Sequence, residues 1–442
     1  MTANPQTASD PVHPVHPVHP VHPVRLRTDG PRRSDPSAAD GNGSAMPWAD
    51  AHRIAREAAR PLSPVTRPLT TTAGLVLAEP LPALSDLPPF DTSAMDGWAV
   101  SGPGPWLLSG ELLAGQQPGA APLPDGHAVR IATGAALPAG ATAVLRNEHG
   151  CTEARGATEW LHVASGRPKP APGQDVRPRG QECRSGDYLL ASGTPVTPAL
   201  LGLAAAAGYD ELTVTPRPSV DVLVLGDELL DDGPPRDGRV RDALSPLLVP
   251  WLRALGAGPK TTVRRLHDDP DLLHQAVGGS TADLIITTGG TAAGPVDFVH
   301  LVVHRLSARL LVDGVAVRPG HPMLLALLPA GRPLVGLPGN PLAAATGVLT
   351  LAAPLLRTLG ARPQPVPYAV PLAESIAGHP TDTCVIPVAF DPSSGAARPL
   401  HFRGPAMLRG LASADAMALV PPGGADAGTA VDILDTGWES AG

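Results

Sequence analysis

Between residues 218 and 360 the chain alternates short apolar runs with helical spacing, and this limits its possible folds more than any other feature. PSVDVLVLGDEL reads as a strand ending in a polar turn, and DALSPLLVPWLRALGA as a helix. TTVRRL, ADLIITTGG and RPLVGLPGN read as further strands, with DDPDLLHQAVGG and PVDFVHLVVHRL as helices between them. PLAAATGVLTLAAPLLRTLG closes the series as a long helix. Strands joined through helices lie parallel with right-handed crossovers, so residues 217–360 are expected to form a doubly wound, mostly parallel α/β domain. Ligands of such sheets sit at the carboxyl ends of the strands.

Four loops are placed at that edge by the pattern. Asp227 and Glu228 close the first strand, and Asp268 and Asp269 follow TTVRRL. Gly289, Gly290, Gly294 and Asp297 follow ADLIITTGG, and Pro338, Gly339, Asn340 and Pro341 follow the last strand. Each has a plainer reading. Asp268 before Pro270 suits a helix N-cap, Asp227 and Glu228 a solvated turn, and the glycine pair a tight turn. A glycine-rich loop running into a helix start offers free N–H groups and a positive dipole end, which is a place to hold an anion. Carboxylates beside such a cradle make sense if a divalent cation bridges them. Mg²⁺ takes one or two carboxylates together with substrate phosphates and water.

The rest of the chain follows other rules. Residues 1–44 form a His/Pro-rich tail in which PVHPVHPVHPVHPV repeats with period three. A polyproline II helix would align His13, His16, His19 and His22 along one edge, either as a weak metal site or as plain low-complexity sequence. The polar stretch after it reads as disordered. Order is expected to begin at Met46 with a helix over MPWADAHRIAREAARPL. Residues 82–180 break into short β pieces between Gly and Pro and read as a β-rich module. Within it FDTSAMDGWAV places Ser93 and Asp96 in a turn inside an apolar stretch. Residues 46–81 and 181–216 are expected to join as a small discontinuous α+β linker domain, and 361–440 to form a C-terminal β-barrel.

Totals narrow the function. With 33 basic and 41 acidic residues the net charge is −8, which argues against a nucleic-acid partner. The three cysteines, Cys151, Cys183 and Cys384, are far apart and have no metal-ligand spacing, so a reducing, cytoplasmic compartment is expected. No signal-peptide core is visible, and no apolar run reads as long enough to span a membrane.

Jointly, FDTSAMDGWAV, RIATGAALPAGATAV, RPRGQECRSGDYL, VLGDEL, the glycine loop at 289–297, VRPGHP at 317–322 and GLPGNP at 336–341 resemble the molybdopterin molybdenumtransferases, the MoeA and gephyrin E-domain family. They occur in the family's order over roughly residues 46–440. The resemblance implies a MogA-like molybdopterin-binding α/β domain among four domains, and an elongated homodimer. It implies that molybdate is inserted into adenylylated molybdopterin with release of AMP, assisted by Mg²⁺, and that the molybdopterin adenylyltransferase is a candidate partner. It implies catalytic carboxylates at Asp96, Glu182, Glu228, Asp268 and Asp297, with Glu228, Asp268 and Asp297 as metal ligands. Thr133, Arg318, His321 and the Pro338–Pro341 loop would contact substrate, with Ser93, Asp227 and the three glycines beside them.

The departures concern cations and donors. The family's Lys-Pro-Gly-Lys-Pro reads Arg318-Pro319-Gly320-His321-Pro322 here, and an upstream lysine position holds Gly314. The usual Asp-Ser-Asn reads Asp242-Ala243-Leu244, and Ser-Val-Gly reads Ala292-Ala293-Gly294. Arginine keeps the charge but changes donor geometry, and a neutral histidine loses it. Three readings therefore stand: an active transferase, a divergent paralogue that binds molybdopterin but turns over slowly or not at all, and a non-catalytic scaffold presenting a metal-binding tail.

Overall fold

The computed structural model describes residues 45–291 and 298–438. The His/Pro tail, Gly294 and Asp297 lie outside them. The first helix, α1 (Trp48–Glu57), buries Ala51 and Ala55 in the same core as the α/β sheet. Strands β1 (Val65–Pro68) and β2 (Val76–Leu77) flank a strand from much later in the chain, described below. The β-rich module holds β3 (Gly97–Val100), β4 (Trp106–Leu112), β5 (His127–Ile131), β6 (Ala143–Arg146), β7 (Gly150–Arg155) and β8 (Thr158–Val163) in one sheet of order β6-β3-β5-β4-β8-β7. Gly97 fits there because a Cβ would lie 2.0 Å from the Leu145 carbonyl oxygen on the neighbouring strand. Helix α2 (Pro198–Ala206) begins where the Thr197 side chain accepts from Leu200 N, and β9 (Glu211–Thr215) then pairs between β1 and β2.

The α/β domain contains β10 (Val220–Leu225), α3 (Leu244–Leu255), β11 (Thr261–Leu266), α4 (Pro270–Gly279), β12 (Leu284–Thr288), α5 (Val299–Arg305), β13 (Arg309–Asp313), β14 (Val317–Arg318), β15 (Leu324–Leu327), β16 (Pro333–Leu337), α6 (Pro341–Gly347) and α7 (Ala353–Leu359). Its six-stranded sheet has the order β11-β10-β12-β16-β15-β13. β10 pairs in parallel with β11 and β12, and β12 with β16. β15 and β13 extend the sheet as an antiparallel edge that the sequence pattern had not separated. Both faces are covered, as expected of a doubly wound sheet. Leu248, Leu252, Leu351 and Leu355 pack on one side, and Leu273, Val277, Val299 and Val302 on the other.

The long helix at the end of this domain is α6 and α7 joined through a π-helical turn, Val348–Ala352. It corrects the expectation that no apolar run is long enough to cross a membrane. Pro341–Leu359 is 19 residues long and meets that test by length and composition, but 89% of its apolar window is buried inside the protein. It is a core helix, packed against α1 and α3.

The C-terminal β region has β17 (Ala369–Pro371), β18 (Thr383–Phe390), β19 (Ala397–Pro399), a short helix α8 (Arg409–Ala412), β20 (Ala416–Val420) and β21 (Ala430–Asp435). Its ladder runs β14-β18-β20-β21-β17, with β19 on the far part of β18. β14 comes from within the α/β stretch and places Arg318 opposite Cys384. Leu355 is fully buried between α1, α3 and the sheet. Leu355→Ala is expected to destabilise the chain by about 2–5 kcal/mol in reversible denaturant unfolding.

Candidate functional site

The three parallel ladders put the carboxyl ends of β10, β11, β12 and β16 on one edge. A cleft of about 630 Å³ opens there. It is lined by Glu228 after β10, Asp268 after β11, Gly289 and Gly290 after β12, and Pro338, Gly339, Asn340 and Pro341 after β16. The four expected loops therefore meet. Gly226 supports this arrangement: its φ is +137°, and a Cβ would come within 2.8 Å of the Glu228 carboxylate, which folds back over the turn. Gly289 and Gly290, at φ +82° and +66°, both adopt the left-handed conformation that glycine tolerates best.

Some assignments change in the structure. The N-cap of α4 is Asp269, whose carboxylate accepts from Asp271 N at 2.7 Å and Leu272 N at 3.1 Å. Asp268 is left facing the cleft and accepts from Asp227 N at 3.1 Å. The Asp227 side chain does not line the cleft. It meets His267 Nδ1 at 2.7 Å, and that hydrogen bond holds its carboxyl below the usual range. Ser93 is buried and donates to Met95 O at 2.6 Å, which holds the turn before Asp96.

Three of the helix N-termini at this edge, those of α3, α4 and α6, have their leading donors taken up by protein acceptors, whereas α5 has no side-chain cap and follows residues outside the described ones. Asp242 accepts from Leu244 N at 2.9 Å and Ser245 N at 3.0 Å at the start of α3. Asp269 occupies α4, and the Pro405 carbonyl accepts from Leu342 N at 2.9 Å and Ala343 N at 3.2 Å at α6. Gly289 N donates to Leu337 O at 2.9 Å. A dipole already saturated by protein acceptors cannot also cradle a ligand. Side chains add positive charge at this edge. Arg241 lines the 630 Å³ cleft, and the sequence reading had not singled it out.

A second cleft of about 560 Å³ adjoins the first and shares Pro322, Pro338 and Asn340 with it. Its lining carries Arg318, His321 and Arg403 and contains no Asp or Glu among the described residues. Arg318 donates through Nε to Asp382 at 2.8 Å. Burial raises the Asp382 pKa, but hydrogen bonds from Arg318 and Thr381 outweigh it and keep the carboxyl below its ordinary value. His321 Nδ1 lies 2.9 Å from Val315 O, so that nitrogen carries the proton and Nε2 is the acceptor in the neutral ring. Gly314 has φ +74°, and a Cβ there would lie 3.6 Å from the His321 ring. A lysine would be strained at this backbone. Leu244, the first residue of α3, packs into the core and also borders the first cleft, so an apolar side chain stands there where the resemblance has an asparagine.

Asp96, Thr133 and Glu182 line neither cleft of this chain. Glu182 borders a separate hollow with Gln181, Arg177 and Thr92. Asp96 accepts from Thr133 N at 2.7 Å and Thr133 Oγ1 at 2.9 Å, and these two bonds hold its carboxyl below its ordinary value. Among the described residues no three His, Cys, Asp or Glu side chains cluster to hold a metal ion. The pair Glu228 and Asp268 still suits Mg²⁺, which needs only one or two carboxylates besides phosphate and water.

The depressed pKa of Asp96 means that its ionised form favours the fold above the ordinary carboxylate pKa, and that this contribution fades as pH falls through the lower folded value. Thr133→Val removes one of the two bonds. The Asp96 titration midpoint, followed by carboxyl NMR, is expected to move up toward the ordinary aspartate value.

Comparison with known proteins agrees with this architecture. Residues 46–208 match the MoeA N-terminal region (domain I and II), 221–358 a probable molybdopterin binding domain, and 369–436 the MoeA C-terminal region (domain IV). The molybdopterin molybdenumtransferase of Synechococcus elongatus is 33% identical over 339 residues, covering 73% of this chain and 82% of that protein. Molybdopterin molybdenumtransferase 2 of Mycobacterium tuberculosis is 36% identical over 332 residues, 71% of this chain and 79% of its own length. A crystal structure of the molybdopterin biosynthesis MoeA protein of Pyrococcus horikoshii aligns at TM-score 0.73 and 25% identity, over 89% of this chain and 99% of that one. With three regional matches in family order and relatives covered over most of their length, the chain belongs to the MoeA family.

Proposed function

We propose that this transferase of molybdenum cofactor biosynthesis inserts molybdate into adenylylated molybdopterin and releases AMP. The observation that carries the reading is the pair of adjoining clefts. One brings Glu228 and Asp268 to the strand edge; the other bears Arg318, Arg403 and His321 with no carboxylate in its lining. A substrate with a phosphoanhydride at one end and an incoming oxyanion at the other needs such a division, because charge must be neutralised at two places. The stiff Pro338–Pro341 loop borders both clefts and fixes their separation.

Glu228 and Asp268 are the residues that would hold Mg²⁺, with Asp297 as a third candidate outside the described residues. When bound, the ion neutralises charge on the phosphoanhydride as AMP leaves. Arg241 and the guanidinium groups of the second cleft hold anionic oxygens, and Asn340 donates at the shared wall. Asp96, Thr133 and Glu182 are proposed to act across a homodimer, since they lie outside the clefts of their own chain. The division into linker, β-rich, α/β and C-terminal domains is part of the same proposal, as are a cytoplasmic setting and transfer of substrate from the molybdopterin adenylyltransferase.

The test is molybdate-dependent AMP release from adenylylated molybdopterin with Mg²⁺, on the full chain. Glu228→Gln and Asp268→Asn are each expected to lower the rate at least about a hundredfold with the fold retained by circular dichroism. Undiminished release in both variants would remove the carboxylate cleft from the reaction. Tight pterin binding by the unmodified chain without AMP release would favour the binding-paralogue reading, for which Gly314 and its missing cation are the structural motive.

A further inference from the structure

Arg403 was not among the residues that the sequence singled out, and it makes no ion pair among the described residues. It follows Phe402, whose φ is +62°, one of the few non-glycine residues in the left-handed region. A bulky side chain there is strained, and such strain persists only where neighbouring contacts enforce it. Those contacts are present. The Arg409 guanidinium carbon sits 4.4 Å over the Phe402 ring. Gly410 lets the helix start press against the loop, since a Cβ would meet His401 O at 2.7 Å and Phe402 O at 2.8 Å. Two residues past Arg403, the Pro405 carbonyl is bound by the first N–H groups of α6. The loop is therefore clamped on both sides of Arg403. The result is a guanidinium at the wall of a cleft that holds Arg318 and His321 and no carboxylate.

We propose that Arg403 contacts the oxyanion substrate directly, and that Phe402 and Arg409 are positioning residues that aim it into the cleft. This deepens the proposed function and rests on it for the identity of the anion as molybdate. The chemistry is that of a tetrahedral dianion: two guanidinium groups, Arg318 with its Nε held by Asp382 and Arg403 with no ion pair among the described residues, supply charge-assisted donors from one cleft lining. With the N-termini of α3, α4 and α6 already occupied by protein acceptors, side-chain cations from two parts of the chain take over the neutralisation. Arg318 comes from β14 and Arg403 from the loop after β19.

The experiment compares the full chain with Arg403→Gln, Arg403→Lys and Arg409→Met. Molybdate binding to the folded protein is measured by equilibrium dialysis, and KM for molybdate and kcat in the AMP-release assay. Loss of one charge-assisted hydrogen bond is expected to raise both the molybdate Kd and KM about tenfold in Arg403→Gln, with kcat within about twofold. Arg403→Lys restores part of the affinity, and Arg409→Met shifts KM in the same direction by about threefold at unchanged thermal midpoint. An unchanged Kd and KM in Arg403→Gln, or a fall in kcat alone, overturns the assignment. Binding that depends on Arg403 in a chain that releases no AMP upholds this site while the transfer reading fails. Failure of the unmodified chain to bind molybdate at all refutes the site itself.

Discussion

Parallel pairing of β10 with β11 and β12, and of β12 with β16, is the constraint from which the site follows. It sends four strand ends to one edge and obliges the returning chain to cross as helices. Those helices bury aliphatic side chains on both faces, so the edge is the one place where loops can diverge without disturbing the core. Thr287 and Thr288 mark the transition at the end of β12: they remain buried in the ladder, and the next two residues are glycines in the left-handed region. A chain poor in aromatics can support this because Leu, Val, Ile and Ala fill the sheet faces at close packing.

Electrostatics at that edge differ from a helix-dipole cradle. Every α-helix beginning there among α3, α4 and α6 has its leading donors satisfied from within the protein. Those three helices are thereby capped from within the protein, and arginines supply the permanent positive charge in the lining of the two clefts. Guanidinium groups stay charged and present planar paired donors, whereas a lysine is a single charge on a flexible stem. With only Lys169 and Lys260 in the whole sequence, arginine is nearly the sole permanent cation that the chain has for this task.

Much of this was legible in the sequence because it is local. The change from strand-length runs to helical spacing located the α/β domain, and the acids just past β10 and β11 with the Gly and Pro loops past β12 and β16 located the cleft. Asp268 and Asp269 are neighbours with the same chemistry, and the local signal that makes the second the cap of α4 is Pro270 at the first helical position. Long-range choices were not legible. The antiparallel edge of β13 and β15 was hidden because a five-residue strand such as Arg309–Asp313 carries little periodicity. Arg403 lay in a polar turn some 85 residues after Arg318, and nothing local shows that the two share a wall. The saturation of α6 by Pro405 is equally remote in sequence. The family motifs located residues; they did not show that Leu244 is core or that Ser93 closes its own turn.

The position of β14 carries a further consequence. Val317–Arg318 is covalently part of the α/β stretch, lying between β13 and β15, yet its ladder partner is Thr383–Cys384 in the C-terminal sheet. Pulling the C-terminal sheet away would therefore strip hydrogen bonds from a segment tethered at both ends to the neighbouring sheet. The two sheets are stitched rather than merely apposed. Amide hydrogens of β14 and β18 should consequently open together with those of β15, as one cooperative unit spanning what would otherwise be a domain boundary.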